Sequence, residues 1–366
     1  MDSRQIYREL RDKLSAAPSG VPPGDRFLEI LEVLFTAEEA ELALVIPFMP
    51  ASLTDIAAAS RIEKARAEKL LMNMADKGVV YAFDHRGETK YLLFSFETIY
   101  NYPIKYRSPD IDQAKLRSLW KEYFAEGWDR APGTYVIPGR VLPVQENLST
   151  ESAALPYDIV YKYIDEARYI SVGDCSCRSI VGNCDSPIET CMGLGYAAKF
   201  LVERKLSRPI DKEEAKSIVK RAHDAGLVSI SNNAKDNIGI ICHCCRCCCG
   251  QLMVATKFGR YDLRPVGSYV TEVDIDSCTS CGLCVDRCPM GAISIDETAV
   301  PDPDRCIGCG LCISSCPEDS LFLSVRKPSL EVPENVIDYA MKAVKAQGTE
   351  EEFVRELKIR SDHETR

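Results

Sequence analysis

Cys278-Thr279-Ser280-Cys281-Gly282-Leu283-Cys284-Val285-Asp286-Arg287-Cys288-Pro289 is answered 28 residues later by Cys306-Ile307-Gly308-Cys309-Gly310-Leu311-Cys312-Ile313-Ser314-Ser315-Cys316-Pro317. Both halves read C-x2-C-x2-C-x3-C-P, a spacing in which three thiolates wrap one iron–sulfur cube and the fourth reaches a neighbouring one. Two cubes are therefore expected. Soft, anionic sulfur suits them because it neutralises ferrous and ferric iron and delocalises the transferred electron. Gly282, Gly308 and Gly310 let backbone amides approach cluster sulfur, and Pro289 and Pro317 end each run where a helix would otherwise restart.

Over residues 271–326 this stretch resembles the bacterial two-[4Fe-4S] ferredoxins. The resemblance implies one cluster on Cys278, Cys281, Cys284 and Cys316 and a second on Cys306, Cys309, Cys312 and Cys288. It also implies low-potential, one-electron carriers. Zinc is the competing occupant of C-x2-C pairs, but zinc sites usually join two short knuckles. Eight cysteines in doubled order with both terminal prolines do not fit that pattern. From Thr271 to Arg326 there are ten carboxylates against three arginines and no lysine. Such an acidic carrier calls for a basic docking patch on its partner.

The whole chain has 366 residues, enough for two or three cores, and carries 45 basic against 55 acidic side chains for a net charge of −10. A polyanion is not the expected partner, so nucleic acid is set aside. Eighteen cysteines in a chain of this length, with no apolar signal core after Met1, point to metal ligands in a reducing cytoplasm rather than to a disulfide framework. The longest apolar run, Leu42 to Met49, falls far short of a membrane span.

An α+β multidomain chain is expected. Residues 1–24 read as a short helix and loop. Residues 25–99 hold three helical patterns and then two strand-like runs, Val79–Phe83 and Lys90–Phe96, joined by Asp84 to Glu88. That order resembles a winged-helix domain. Its candidate groove helix carries Arg61, Lys64, Arg66, Lys69 and Lys77, yet residues 25–100 hold 8 basic and 13 acidic side chains, a poor footprint for DNA. A protein-docking module is the preferred reading. Residues 100–148 form a connecting segment with Tyr100, Trp120, Tyr123, Phe124, Trp128 and Tyr135, best explained by packing between units rather than base stacking.

Residues 149–269 form a cysteine-rich unit, 270–327 the ferredoxin-like unit and 328–366 C-terminal helices, the last with a capping-box candidate at Thr349 and Glu352. The cysteine-rich unit contains Cys175, Cys177, Cys184 and Cys191, expected in a loop. It also contains Cys242, Cys244, Cys245, Cys247, Cys248 and Cys249, with His243 and Arg246 among them. Ten thiols exceed the needs of one cube. One or two further [4Fe-4S] clusters are the preferred reading, with zinc or a dithiol redox site as the runner-up. Successive strand residues point to opposite faces, so Cys244 and Cys245 can serve different sites. The C-x-C-R loop beside a cysteine-rich strand resembles iron–sulfur proteins encoded with anaerobic oxidoreductases.

No Walker loop, dinucleotide fingerprint or acid–base constellation is present, and Gly193-Leu194-Gly195 is too short to be one. No catalytic residue is assigned, and whether the chain is itself an enzyme is left open. The expectation is a cytoplasmic iron–sulfur electron-transfer protein or subunit serving a flavin- or metal-containing oxidoreductase in a hetero-oligomeric complex. The alternatives are a redox-sensing winged-helix regulator and a reductase whose catalytic cluster or dithiol lies in the 175–249 group.

Overall fold

A computed structural model describes residues 3–22, 24–127, 138–144 and 160–359. Trp128, Tyr135, the unit boundary at Ser149 and the tail beyond residue 359 lie outside these. The chain begins with α1 (Ser3–Ser15), α2 (Arg26–Leu34) and α3 (Ala37–Val45). A reciprocal cap starts α3: Glu39 N–H donates to Thr36 Oγ1 while Thr36 N–H donates to the Glu39 carboxylate. Next come β1 (Ala51–Ser52), α4 (Leu53–Ser60), α5 (Lys64–Asp76), β2 (Val80–His85) and β3 (Glu88–Leu93). Ser52 caps α4 and Glu63 caps α5 through its carboxylate. The strands form an antiparallel sheet in the order β1-β3-β2.

The hairpin is tighter than the sequence suggests. Pairing extends to His85 opposite Glu88, leaving Arg86 and Gly87 as a two-residue turn with φ of 57° and 82°. Two left-handed residues give the twist that matches paired strands, and this overrides the polar composition that reads as a longer loop. A buried ion pair ties this unit together, with Lys77 Nζ 2.7 Å from Glu39 Oε2.

The aromatic segment supplies α6 (Phe96–Asn101) and α7 (Gln113–Gly127). Trp120, Tyr123 and Phe124 are buried against Phe27, Phe96 and Tyr100, with the Tyr100 and Phe124 rings 4.8 Å apart. These rings are core and have no face free to stack on a base.

A six-stranded antiparallel sheet forms the centre, in the order β4-β8-β9-β6-β5-β7. Its strands are β4 (Gly139–Leu142), β5 (Ile170–Asp174), β6 (Glu189–Leu194), β7 (Arg208–Pro209), β8 (Val228–Asn232) and β9 (Ile240–Cys244). The edge strand β4 lies inside the stretch read as a connecting segment; four residues between Pro138 and Pro143 give too short a pattern to betray a strand. The accompanying helices are α8 (Val160–Glu166), α9 (Ser176–Val181), α10 (Gly195–Glu203), α11 (Lys212–Asp224, capped by Asp211) and α12 (Gly250–Thr256). Residues of α8 and α11 pack on one sheet face against Val172, Met192 and Ile241. By strand alternation the opposite face receives Cys191, Cys242 and Cys244.

The last sheet elements are β10 (Tyr269–Val273), β11 (Ile293–Ile295), β12 (Ala299–Pro301) and β13 (Leu321–Val325), with α13 (Leu283–Arg287) in the first cysteine run. β10 pairs with β13 and β11 with β12. Finally α14 (Val336–Gln347) and α15 (Glu350–Glu356) cross back to the N-terminal unit. Phe353 stacks on Phe48, and the buried Glu356 carboxylate lies 3.2 Å from Lys13 Nζ. The expected capping box at Thr349 does not form. Thr349 follows left-handed Gly348 with φ −109° and ψ 19°, outside the extended geometry a cap requires, and its side chain makes no cap hydrogen bond.

Candidate iron–sulfur centres

The doubled motif folds into two cages. Cys278, Cys281, Cys284 and Cys316 line one small cavity, and Cys288, Cys306, Cys309 and Cys312 line a second. Each cage thus draws its fourth thiol from the other half of the repeat. Both fit the group that the spacing implies. Ala299 N–H donates to Cys278 Sγ at 3.4 Å and Ala292 N–H donates to Cys288 Sγ at 3.3 Å, as anionic cluster thiolates require. Ser320 Oγ lies 3.1 Å from Cys316 Sγ, and Thr271 Oγ1 lies 3.4 Å from Cys312 Sγ.

The cages differ in access. Cys281 is exposed, whereas Cys306, Cys309 and Cys312 are buried. Val144 N–H donates to Cys309 O at 3.0 Å and Gly267 N–H to Ile307 O at 2.9 Å. Arg326 Nη2 donates to Cys306 O at 2.9 Å. The inner cage is therefore pinned by the central sheet and its connecting loop, while the outer one faces solvent.

The ten remaining cysteines separate into two sets. Cys184, Cys245, Cys247 and Cys248 bring their sulfurs within 4.8 Å of one another. The other six form a chain of side-chain contacts running Cys175–Cys177–Cys249–Cys244–Cys242–Cys191. Register explains the second set, because Met192 pairs with Ile241, which sets Cys191 beside Cys242 across β6 and β9. Cys175 and Cys177 enter from the start of α9, and Cys249 from the start of α12. The expected loop quartet of Cys175, Cys177, Cys184 and Cys191 does not exist as a unit. Cys175 and Cys177 belong to the start of a helix and Cys191 to a strand, while Cys184, in the loop between them, joins the other set. Cys244 and Cys245 do serve different sets, since β9 ends at Cys244 and the chain turns away.

Contacts among the six shift their thiols in opposite directions. Hydrogen bonds from Cys177 and Cys244 hold the Cys249 thiol down at about 5, and those from Cys191 and Cys244 hold Cys242 well below the usual thiol range. Cys177 is pushed up through its neighbours and burial.

Sequence reading missed the N-terminal contribution to this set. Tyr100 Oη donates to Cys177 Sγ at 2.7 Å. Lys105 is only 5% exposed, and among the described residues no carboxylate pairs with it. Burial opposes its charge, but Cys191 beside it, with Cys175 and Cys242, holds its pKa above the ordinary value. Nothing in the pattern around Lys105 marks it, because its partners lie about seventy residues or more away in the chain. His243 is on the other face: its Nδ1 pairs with Thr190 O at 2.8 Å, and burial lowers its pKa to about 4.

A pair of four-cysteine cages built by a duplicated, interleaved motif defines a ferredoxin-type iron–sulfur unit. Residues 277–320 match the family described as 4Fe-4S dicluster domain. The chain is also 48% identical over 31 residues to a protein of Methanosarcina thermophila named "Probable ferredoxin", a match covering 8% of this chain and 53% of that protein. The chain thus spans about half the length of this curated relative. No solved structure matches. The motif and its family match support [4Fe-4S] clusters as cofactors and iron–sulfur electron transfer as the chemistry. Among the described residues no helix is long and apolar enough to cross a membrane.

Proposed function

We propose that this chain is an electron-relay subunit that passes single electrons between a partner oxidoreductase and a buried centre in its own cysteine-rich unit. Cys278, Cys281, Cys284 and Cys316 would hold the outer cluster, Cys288, Cys306, Cys309 and Cys312 the inner one, and the six-thiol set a third. When bound, these groups supply one-electron redox steps at low potential. The observation that carries the reading is one continuous apolar core. Cys306 and Cys309 of the inner cage share it with Cys244 and Cys249 of the six-thiol set, and Val141, Ile230 and Ile307 belong to the same core.

The protein's own residues give this route a direction. Cys281 opens the outer cage to solvent, and Leu283 and Ile295 are exposed as well, within a unit that bears ten carboxylates against three arginines. That surface suits a basic partner with an apolar centre. At the inner end, Lys105 and Tyr100 place a cation and a hydrogen-bond donor on the thiols, which favours the more reduced, more negative state.

The N-terminal unit, with its helices before a β-hairpin, serves in this reading as a winged-helix-like docking module for protein. Arg66 is bound by Glu38 and Lys77 by Glu39, so two cations of the candidate groove helix are already neutralised. This weakens the DNA-regulator alternative. A gel-shift series over salt would reinstate it only if a complex formed and weakened steeply with salt.

Iron and acid-labile sulfide analysis of anaerobically purified protein tests the relay. About twelve irons per chain are expected from three cubes, and about eight would remove the third. A native anaerobic pull-down that returned the chain alone, reducing nothing beside its genomic neighbours' products, would defeat the subunit role.

One observation favours a second reading, in which the six-thiol set is itself catalytic. A cavity of about 510 Å³ between the N-terminal unit, the central sheet and α14 reaches Cys242, with Asn101, Ile230 and Gln251 also on its wall. Turnover of a small disulfide by reduced protein, abolished in Cys242→Ser with both ferredoxin clusters retained, would establish it.

A further inference from the structure

The four sulfurs of Cys184, Cys245, Cys247 and Cys248 are too close together for a cube. Cys184 Sγ lies 3.7 Å from Cys245 Sγ and 4.0 Å from Cys248 Sγ, and Cys247 Sγ lies 3.8 Å from Cys248 Sγ. Four thiolates around one zinc ion at Zn–S distances of about 2.3 Å form a tetrahedron with edges of about 3.8 Å. In a cube each thiolate extends outward from a different iron, which spreads the four sulfurs well beyond such edges. The protein carries its own comparison: among the described residues no other group of three or more metal-binding side chains is drawn within 4.8 Å, and so neither ferredoxin cage is.

We propose that Cys184, Cys245, Cys247 and Cys248 form a closed, mononuclear zinc site, separate from every iron–sulfur centre of the chain. Zinc is the occupant because it has no geometric preference of its own and takes four cysteine thiolates as a complete structural site. The surroundings suit a tetrathiolate of net negative charge. Arg178, 4% exposed, places Nη1 4.0 Å from Cys245 Sγ while the same nitrogen donates to His243 O at 2.8 Å. Asn183 Nδ2 donates to Cys247 O at 3.3 Å, fastening the Cys184 loop to the turn that bears the other three.

The position gives the ion a purpose. Cys245, Cys247 and Cys248 fill the turn between Cys244 and Cys249, and Cys184 follows the helix that bears Cys177. One ion therefore staples together the two segments that supply five of the six thiols in the neighbouring centre. A closed four-thiolate site adds folding free energy outright and leaves no coordination position for substrate.

Elemental analysis of the anaerobically purified full chain tests this directly. One zinc per chain is expected beside the iron, and Cys184→Ser is expected to lose that zinc while the reduced ferredoxin clusters keep their EPR signals. Growth on cobalt provides a readout without any substitution, since tetrahedral cobalt thiolate has intense visible ligand-field bands. Loss of about four irons and no zinc in Cys184→Ser would make the site a cube and overturn the proposal. Absence of zinc and of the cobalt bands from the unsubstituted protein, or the high-spin ferric signal of a lone thiolate-bound iron, would overturn it equally. None of these outcomes alters the count of ferredoxin clusters, and the relay is judged separately, by whether Cys184→Ser still holds about twelve irons.

Discussion

Replacing Gly308 with alanine should empty the inner ferredoxin cage while the matching change at Gly282 spares the outer one. Both glycines are left-handed, with φ of 73° and 79°. A non-glycine residue there costs about 1–2 kcal/mol. At Gly282 that is the whole effect, because an added Cβ meets nothing within 4 Å. At Gly308 the Cβ would stand 2.2 Å from the Tyr269 carbonyl oxygen and 2.9 Å from its carbon. Carbon–oxygen contacts begin near about 3.3 Å, so the loop or strand β10 must retreat by roughly 1 Å. Overpacking of this kind adds about 1–3 kcal/mol, for a total of roughly 2–5 kcal/mol.

Strand β10 is poorly placed to yield. Tyr269 pairs with Val325, and its carbonyl also accepts from Arg326 Nη2 at 3.1 Å. The repeat supplies an internal control, since the position equivalent to Gly308 in the first half is Ser280, which adopts φ 56° and donates its hydroxyl to Glu297 O at 2.6 Å. A side chain with left-handed backbone is thus tolerated where nothing crowds it. Iron, sulfide and reduced-state EPR of both variants, purified without air, make the assay. Gly308→Ala should lose about four irons, and Gly282→Ala none. Equal losses, or an unchanged spectrum in Gly308→Ala, would refute the steric argument.

Three further outcomes are expected. Lys77→Met leaves the Glu39 carboxylate buried without its 2.7 Å partner and should lower stability by about 3–5 kcal/mol, read by urea unfolding of the apoprotein and the loaded protein. Tyr100→Phe removes the 2.7 Å hydrogen bond to Cys177 while keeping the ring between Trp120 and Phe124, so the potential of the six-thiol centre should fall in a redox titration with the ferredoxin potentials unmoved. Electron exchange with a basic partner should slow as salt rises from low to physiological ionic strength in stopped-flow mixing, and an indifferent rate would remove the charge-guided encounter.

Much of the ferredoxin-type unit is legible because its chemistry is local. Eight cysteines, the duplication and the glycines all fall within forty residues, and the spacing itself brings the thiols into two sets of four. Helix starts are equally readable where a side chain caps its own helix, as at Ser52 and Asp211. The 175–249 group is legible only as a metal-binding composition. Its division depends on the register that puts Cys191 beside Cys242 and on a strand that stops at Cys244, and neither is encoded by cysteine spacing. Lys105 and Tyr100 escape for the same reason, since an apolar-aromatic segment reads as packing until the sheet it covers is known.

The backbone braces on the inner cage bear on how this chain can be cut. Val144 and Gly267, which hold the carbonyls of Cys309 and Ile307, both precede the ferredoxin-type unit in the chain. A fragment starting at residue 270 keeps all eight cysteines yet leaves those two carbonyls to solvent. Among the described residues no upstream backbone N–H holds a carbonyl of the outer cage, whose cysteine run is tied upstream by the Arg287 side chain donating to His223 O. A module that is transplantable by its motif is therefore only half portable by its structure, and a grafted copy would be expected to mature one cluster more readily than the other.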